Sequence, residues 1–349
     1  MINEKICGWL INNADAPIRY RTAKELLRDN SFANAVLPEL FENKTVQKWL
    51  ENLAHEKLPP GTGAVWCYEH GCFDACLENA LPKLVQMGLR GEMRPLDDAA
   101  AFYKSRAAGR NDMGLSVSMF SYAGFTDAFF MEKITERIAA LHRFAKKGIY
   151  DFYITAEERE NLRKVPKNWK NADFIKPELR GEHYPFIYDL MGMAGVYGML
   201  GPETDKKIEE ILAYISTDEF HVNVRDGYGI LIDENNTYHS QGWDPKYPGW
   251  FSVADYIEGG ASVPKLLIYA EIVSKFKIAL NTRWFTELLA YLERYATEND
   301  TYIFPKEWLK ESPGYAVQGH HVSFGENRRK NNWCEIESTF YMQLLKQNI

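Results

Sequence analysis

A chain of 349 residues, 46% hydrophobic and 26% charged, carries enough apolar material for a sizeable core. Its net charge of -7 and pI near 5.7 speak against a nucleic-acid groove or a broad anionic-membrane face. Five cysteines, an odd number in a chain too large to need disulfides, fit a reducing cytoplasm better than secretion.

The opening MINEKICGWLINNADAP lacks a basic segment followed by an apolar one, so no signal peptide is expected. No run of about eighteen apolar residues predicts a membrane span. Asp15 and Pro17 then read as the start of a helix whose apolar side follows as Ile18, Ala23, Leu26 and Leu27. Leu37, Leu40 and Phe41 mark a second helix, and Val46, Trp49, Leu50 and Leu53 a third. KLPPGTGAVW breaks the pattern with two prolines and two glycines, and helix resumes from Phe73 to Gly88.

Further helices are predicted over Leu96–Arg106, Met113–Tyr122 and Asp127–Lys147, the last with Ile134, Ile138, Leu141 and Phe144 on one side. After a short surface helix at Ala156–Arg163, Tyr184–Leu200 and Pro202–Ile215 read as a helical hairpin around Gly201-Pro202. Phe220–Ser252 has no helical period and suggests at most a short β-hairpin. Helices return at Val263–Phe276 and Thr282–Ala296. A second aromatic loop, Tyr302–Asn332, precedes a last helix from Cys334 to Lys346.

About eleven to thirteen helices with almost no strand predict an all-α protein. Alternating short and long loops without a fixed repeat predict an α/α toroid, a barrel of helical hairpins with long aromatic loops over a central cavity. The expected organisation is a single domain over 1–349.

Two constellations carry possible chemistry. Cys67, His70, Cys72 and Cys76 offer four ligands that suit tetrahedral zinc, but they are compressed into ten residues. With a helix from Phe73, only Cys72 and Cys76 share a face, so packing as small buried hydrophobes is the preferred reading and no cofactor is predicted. The loop from Asp226 to Trp250 is the stronger site. Asp226, His239 and Asp244 are its acid or base candidates, and Tyr228, Trp243, Tyr247 and Trp250 its ligand-facing rings. Carboxylates beside aromatic surfaces suit acid–base chemistry on a sugar or a polyene. In the second loop His320, Arg328 and Trp333 are added as ligand contacts, Arg328 for the planar fork that grips carboxylate or phosphate. Asp233 and Glu234 complete the acidic set. Glu335 and Glu337 are expected only to complement the dipole of the last helix.

Four stretches taken together, DAPIRYRTAKELL, CLENALPKLVQMGL, DGYGI…YHSQGWD and WCEIESTFYMQLLK, resemble a family of bacterial proteins. That family is similar to the squalene-cyclase and protein-prenyltransferase superfamily of α/α toroids. The resemblance implies an apolar central cavity holding an isoprenoid-like substrate. The cyclases' DxDD acid is missing here, and QGW at Gln241–Trp243 is only a fragment of their glutamine–tryptophan repeats. Three functions therefore stand as expectations: an enzyme on an isoprenoid-like substrate, a carbohydrate-active toroid, and a non-catalytic binder of a small molecule or protein.

Overall fold

Polar caps set most helix starts. Asp29, Asp127, Thr217, Ser262 and Thr282 each accept a backbone N–H from the first turn of the helix that follows. The computed structural model describes residues 3–53, 69–107, 114–232 and 237–347. Among these described residues there are seventeen α-helices: α1 (Glu4–Asn13), α2 (Ala16–Arg21, continuing as a π-helical turn Thr22–Leu27), α3 (Asn30–Glu42), α4 (Lys44–Leu53), α5 (Leu77–Gln86), α6 (Asp97–Ala107), α7 (Gly114–Tyr122), α8 (Ala128–Ala145), α9 (Ala156–Glu160), α10 (Ile187–Val196), α11 (Pro202–Ile215), α12 (Asp218–Asn223), α13 (Val253–Glu258), α14 (Val263–Val273), α15 (Lys277–Leu280), α16 (Arg283–Leu292) and α17 (Trp333–Lys346). The all-α expectation holds. No helix among the described residues is long and apolar enough to cross a membrane.

Among the described residues, strand is confined to one small sheet. β2 (Gly229–Ile232) pairs antiparallel with β3 (Tyr238–Gln241), the hairpin expected in the long loop, and parallel with β1 (Phe174–Ile175). Phe174, Ile230 and Ile232 form its own small apolar cluster.

Helices α5, α7, α10, α14 and α17 are buried along most of their lengths, α5 at every residue. In this order each packs on the next, and α17 packs on the π turn after α2. Arg21 then donates to the Gln86 carbonyl at 2.8 Å, which brings the succession back to α5. Amphipathic α4 packs on α5, α8 on α7, and α11 on α8. Long connections precede two of the buried helices: 146–186 before α10 and 293–332 before α17. One continuous core runs from Ile6 to Leu345.

Several expectations are corrected. The chain 70–76 is not helical, because Asn79 donates to the carbonyls of Gly71 and Phe73 and so captures the groups a first helical turn would use. Cys72 and Cys76 therefore do not share a helix face. Cys76 is buried at the N-cap, whereas Cys72 is exposed. Asp15 makes no cap hydrogen bond; it accepts from the Asn327 N–H and pairs with Lys330, tying the two ends of the chain together. Glu337 does more than face a helix dipole. It is fully buried and accepts from the Ser323 hydroxyl and from the N–H groups of Phe324 and Glu326. The N-terminal helix α1, capped by Asn3, is an addition to the predicted set.

Candidate functional site

Glu78 is the second residue of α5, and its carboxylate is 1% exposed. An ionised carboxylate so deep must be saturated with donors. Oε1 accepts from His70 Nδ1 at 2.7 Å and from the Gly71 N–H at 2.5 Å. Oε2 accepts from the Tyr188 hydroxyl. Tyr188 lies in the first turn of α10, so the starts of two buried helices meet on one carboxylate. The phenol is held well above its ordinary pKa, first by burial and then by the neighbouring Glu78 charge. His70 remains 39% exposed, and the hydrogen bond to Glu78 raises its pKa above 6.5.

Two rings from the long loops extend this cluster. Tyr315 stacks on His70 with centroids 5.6 Å apart and planes 27° apart. Trp243 lies against Tyr315 at 4.8 Å. Trp243 has φ 65°, a left-handed backbone that a bulky residue adopts only when its surroundings impose it. The restraint is visible: its carbonyl accepts the Ile187 N–H at 2.9 Å, which fixes Trp243 to the start of the helix carrying Tyr188.

Two more polar side chains of α5 are buried. The Lys83 ammonium, with no exposed surface, donates to the carbonyls of His321 and Ser323 and pairs with Glu311. Gln86 donates to the Val322 carbonyl and the Tyr341 hydroxyl, each at 3.1 Å. A cavity of about 20 Å³ lies among Lys83, Gln86, Tyr122, Glu271, His321 and Met191. That is room for about one water.

Of the predicted residues, Trp243 is the one from the first loop that reaches this cluster. The Asp226 side chain is 89% exposed, 3.4 Å from the Lys246 ammonium. His239 is exposed on β3, at the edge of the sheet. Asp244 turns back on its own loop and accepts from the N–H groups of Gly227 and Lys246; burial raises its pKa. The three acid or base candidates thus do not converge. Tyr228 and Tyr247 are fully buried and hydrogen-bond the Pro185 carbonyl and Ser216 respectively. His320 contacts the Ser312 hydroxyl at 2.8 Å. Arg328 and Trp333 do meet, the guanidinium 3.9 Å from the ring centroid, with Arg328 also 3.0 Å from the Glu337 carboxylate. Cys67, Asp233 and Glu234 lie outside the described residues. Among those described, no three His, Cys, Asp or Glu side chains converge as metal ligands. His70 Nδ1 is engaged by Glu78.

Glu78, Tyr188 and Tyr315 are the residues that sequence reasoning missed. One signal was present: a glutamate and an asparagine inside the otherwise apolar ACLENALP at the head of a buried helix.

Trp250 has a different setting. Its indole N–H donates to Asp218 at 2.8 Å, and its ring stacks on His221 at 4.4 Å with planes 4° apart. Burial, followed by the charge of Lys246, pushes the His221 pKa down to about 3. A depressed imidazole pKa means the unfolded chain binds the proton first, so stability falls as pH drops from 6.5 towards 3. His221→Phe is expected to remove that penalty. Urea denaturation of the variant should show a gain over wild type of about 2–3 kcal/mol at pH 4 relative to pH 7.

Compared with protein-family models, curated proteins and solved structures, the chain matches none.

Proposed function

We propose that the chain is a closed α/α toroid whose buried helices form the inner ring, with an active site where their N-terminal ends meet the long loops. His70 is the general base and acid of that site, Glu78 its orienting carboxylate, and Trp243 with Tyr315 the platform for a sugar ring. The observation that carries the reading is the 2.7 Å contact between a half-exposed imidazole and a buried carboxylate. Three donors converge on Glu78, and as the acceptor at Nδ1 its carboxylate keeps the ring proton on that nitrogen. Nε2 then offers its lone pair to whatever sits at the mouth. The base takes a proton from a hydroxyl or a water, and the imidazolium formed is stabilised by Glu78.

A carbohydrate fits this better than an isoprenoid. Aromatic faces stack on the C–H side of a pyranose while polar groups address its hydroxyls. An isoprenoid needs an apolar chamber of several hundred Å³. The space between the buried helices at Lys83, Met191 and Ile268 is about 20 Å³, too small for such a chain.

Neutral and uronic-acid oligosaccharides should be screened for reducing-end release and for the ultraviolet absorbance of an unsaturated product. Wild type is expected to turn over at least one of them, with activity rising as pH passes upward through the His70 pKa, because the base must be neutral. His70→Gln should cost about 10²–10⁴-fold in turnover while ligand-induced quenching of tryptophan fluorescence persists. Unchanged turnover in His70→Gln would end the assignment, and binding without turnover in wild type would favour the non-catalytic alternative.

A further inference from the structure

Resting on His70 as the base, we infer that Asn79 is the positioning residue that sets the base against its aromatic platform. Asn79 follows Glu78 in α5 and is fully buried. Its amide nitrogen donates to the carbonyl of Gly71 at 2.8 Å and of Phe73 at 2.9 Å. Its amide oxygen accepts the Ala316 N–H at 2.8 Å. Gly71 directly follows His70, and Ala316 directly follows Tyr315. One side chain therefore grips the residue next to the base and the residue next to the ring stacked on it, although the two segments lie far apart in sequence. Buried amides are retained where all their valences are used, and here both donors and one acceptor site are filled. Glu78 fixes which nitrogen of His70 carries the proton. Asn79 fixes where that imidazole sits relative to Tyr315, and through Tyr315 relative to Trp243. A substrate stacked on the platform then meets Nε2 at a set distance, which is where proximity supplies rate.

Proton NMR of the His70 ring reads the two halves of this clamp separately. The titration midpoint reports the bond to Glu78, and the ring-current displacement of the His70 protons reports the stack on Tyr315. In Asn79→Ala the midpoint should fall towards 6.5 and the ring-current displacement should collapse. Ala316→Pro removes only the N–H that Asn79 accepts. Proline suits the first position of the 3₁₀ turn Ala316–Gln318, and Tyr315 is already extended at φ -79°, ψ 130°. That variant should keep the wild-type midpoint and lose the ring-current displacement. Asn79→Ala that is folded by near-ultraviolet circular dichroism and has both wild-type values would overturn the inference. So would Ala316→Pro with an intact stack, which keeps the test open if Asn79→Ala does not fold. A wild-type midpoint at 6.5 that Glu78→Gln leaves unmoved would instead sink the reading of His70 as base, while the ring-current arm still decides the role of Asn79.

Discussion

Gly195→Ala is expected to destabilise the protein by about 3 kcal/mol, the upper end of what overpacking costs. Helices α7 and α10 approach closely, with small residues on both sides: Ser118 and Ser121 against Gly192 and Gly195. A Cβ on Gly195 would run into the Ser121 carbonyl and lie 2.5 Å from its carbon and 2.6 Å from Tyr122 Cα. These neighbours are backbone, so no side-chain rotation relieves the overlap and the helices must separate. Separation exposes the apolar faces that α10 buries through Leu190, Met191 and Met193. It also moves the start of α10, where Tyr188 meets Glu78. Loss of stability in urea should therefore come with a changed His70 titration. Gly8 is the control. It sits inside α1, and a methyl group added there would meet nothing within 4 Å, so Gly8→Ala should stabilise by about 0.5–1 kcal/mol. Equal effects at the two positions would mean that helix propensity, and not close approach, governs Gly195.

The same contact shows where sequence reading reaches its limit. Helix α11 was legible residue for residue, because Gly201-Pro202 marks its start and Ile208, Ile211, Leu212 and Ile215 keep the period. Helix α5 starts four residues later than its apolar pattern predicts. Phe73 and Cys76 continue that pattern, yet the side chains of Glu78 and Asn79 capture the backbone of Gly71 and Phe73. Side-chain competition for backbone groups leaves no trace in hydrophobic periodicity.

The site divides in the same way. Trp243 was found because an aromatic in a glycine-containing loop stands out, but Tyr228 and Tyr247 look identical in sequence and are core. An irregular loop has no period from which an inward face can be told from an outward one. Glu78 and Tyr188 lie 110 residues apart, and only the packing of α5, α7 and α10 brings them together. Charged residues on helices that are buried all round were the signal available. Glu78, Lys83, Asp189, Glu271 and Glu337 are all of this kind, paired with His70, Glu311, Arg137, Arg21 and Arg328 respectively.

Arg21 is the buried charge whose removal should cost most, about 3–5 kcal/mol for Arg21→Met. Its guanidinium is 1% exposed and grips Glu25 with two bonds, at 2.9 and 2.8 Å. It also reaches Glu271 at 3.0 Å and the Gln86 carbonyl at 2.8 Å. The rings of Phe324 and Phe340 lie 5.4 and 5.3 Å from it. Methionine keeps most of the volume, so the loss is electrostatic and not a cavity. Arg90 continues to hold Glu25 at 2.6 Å, whereas Glu271 loses the cation nearest to it. Glu25 makes the effect testable by pH. Burial alone would raise its carboxyl pKa, but Arg21 and Arg90 outweigh burial and hold it far below 4.5. A depressed carboxyl contributes stability above the unfolded value of 4.5 and loses it as pH falls further. The gap between wild type and Arg21→Met should therefore be widest near neutrality and narrow below about pH 4.5. A second change, Glu271→Gln on the Arg21→Met background, should recover part of the loss by removing the carboxylate left without its partner. A gap that stays constant from pH 7 to pH 3, with no recovery in the double variant, would assign the role of Arg21 to packing between Phe324 and Phe340 instead of to its charge.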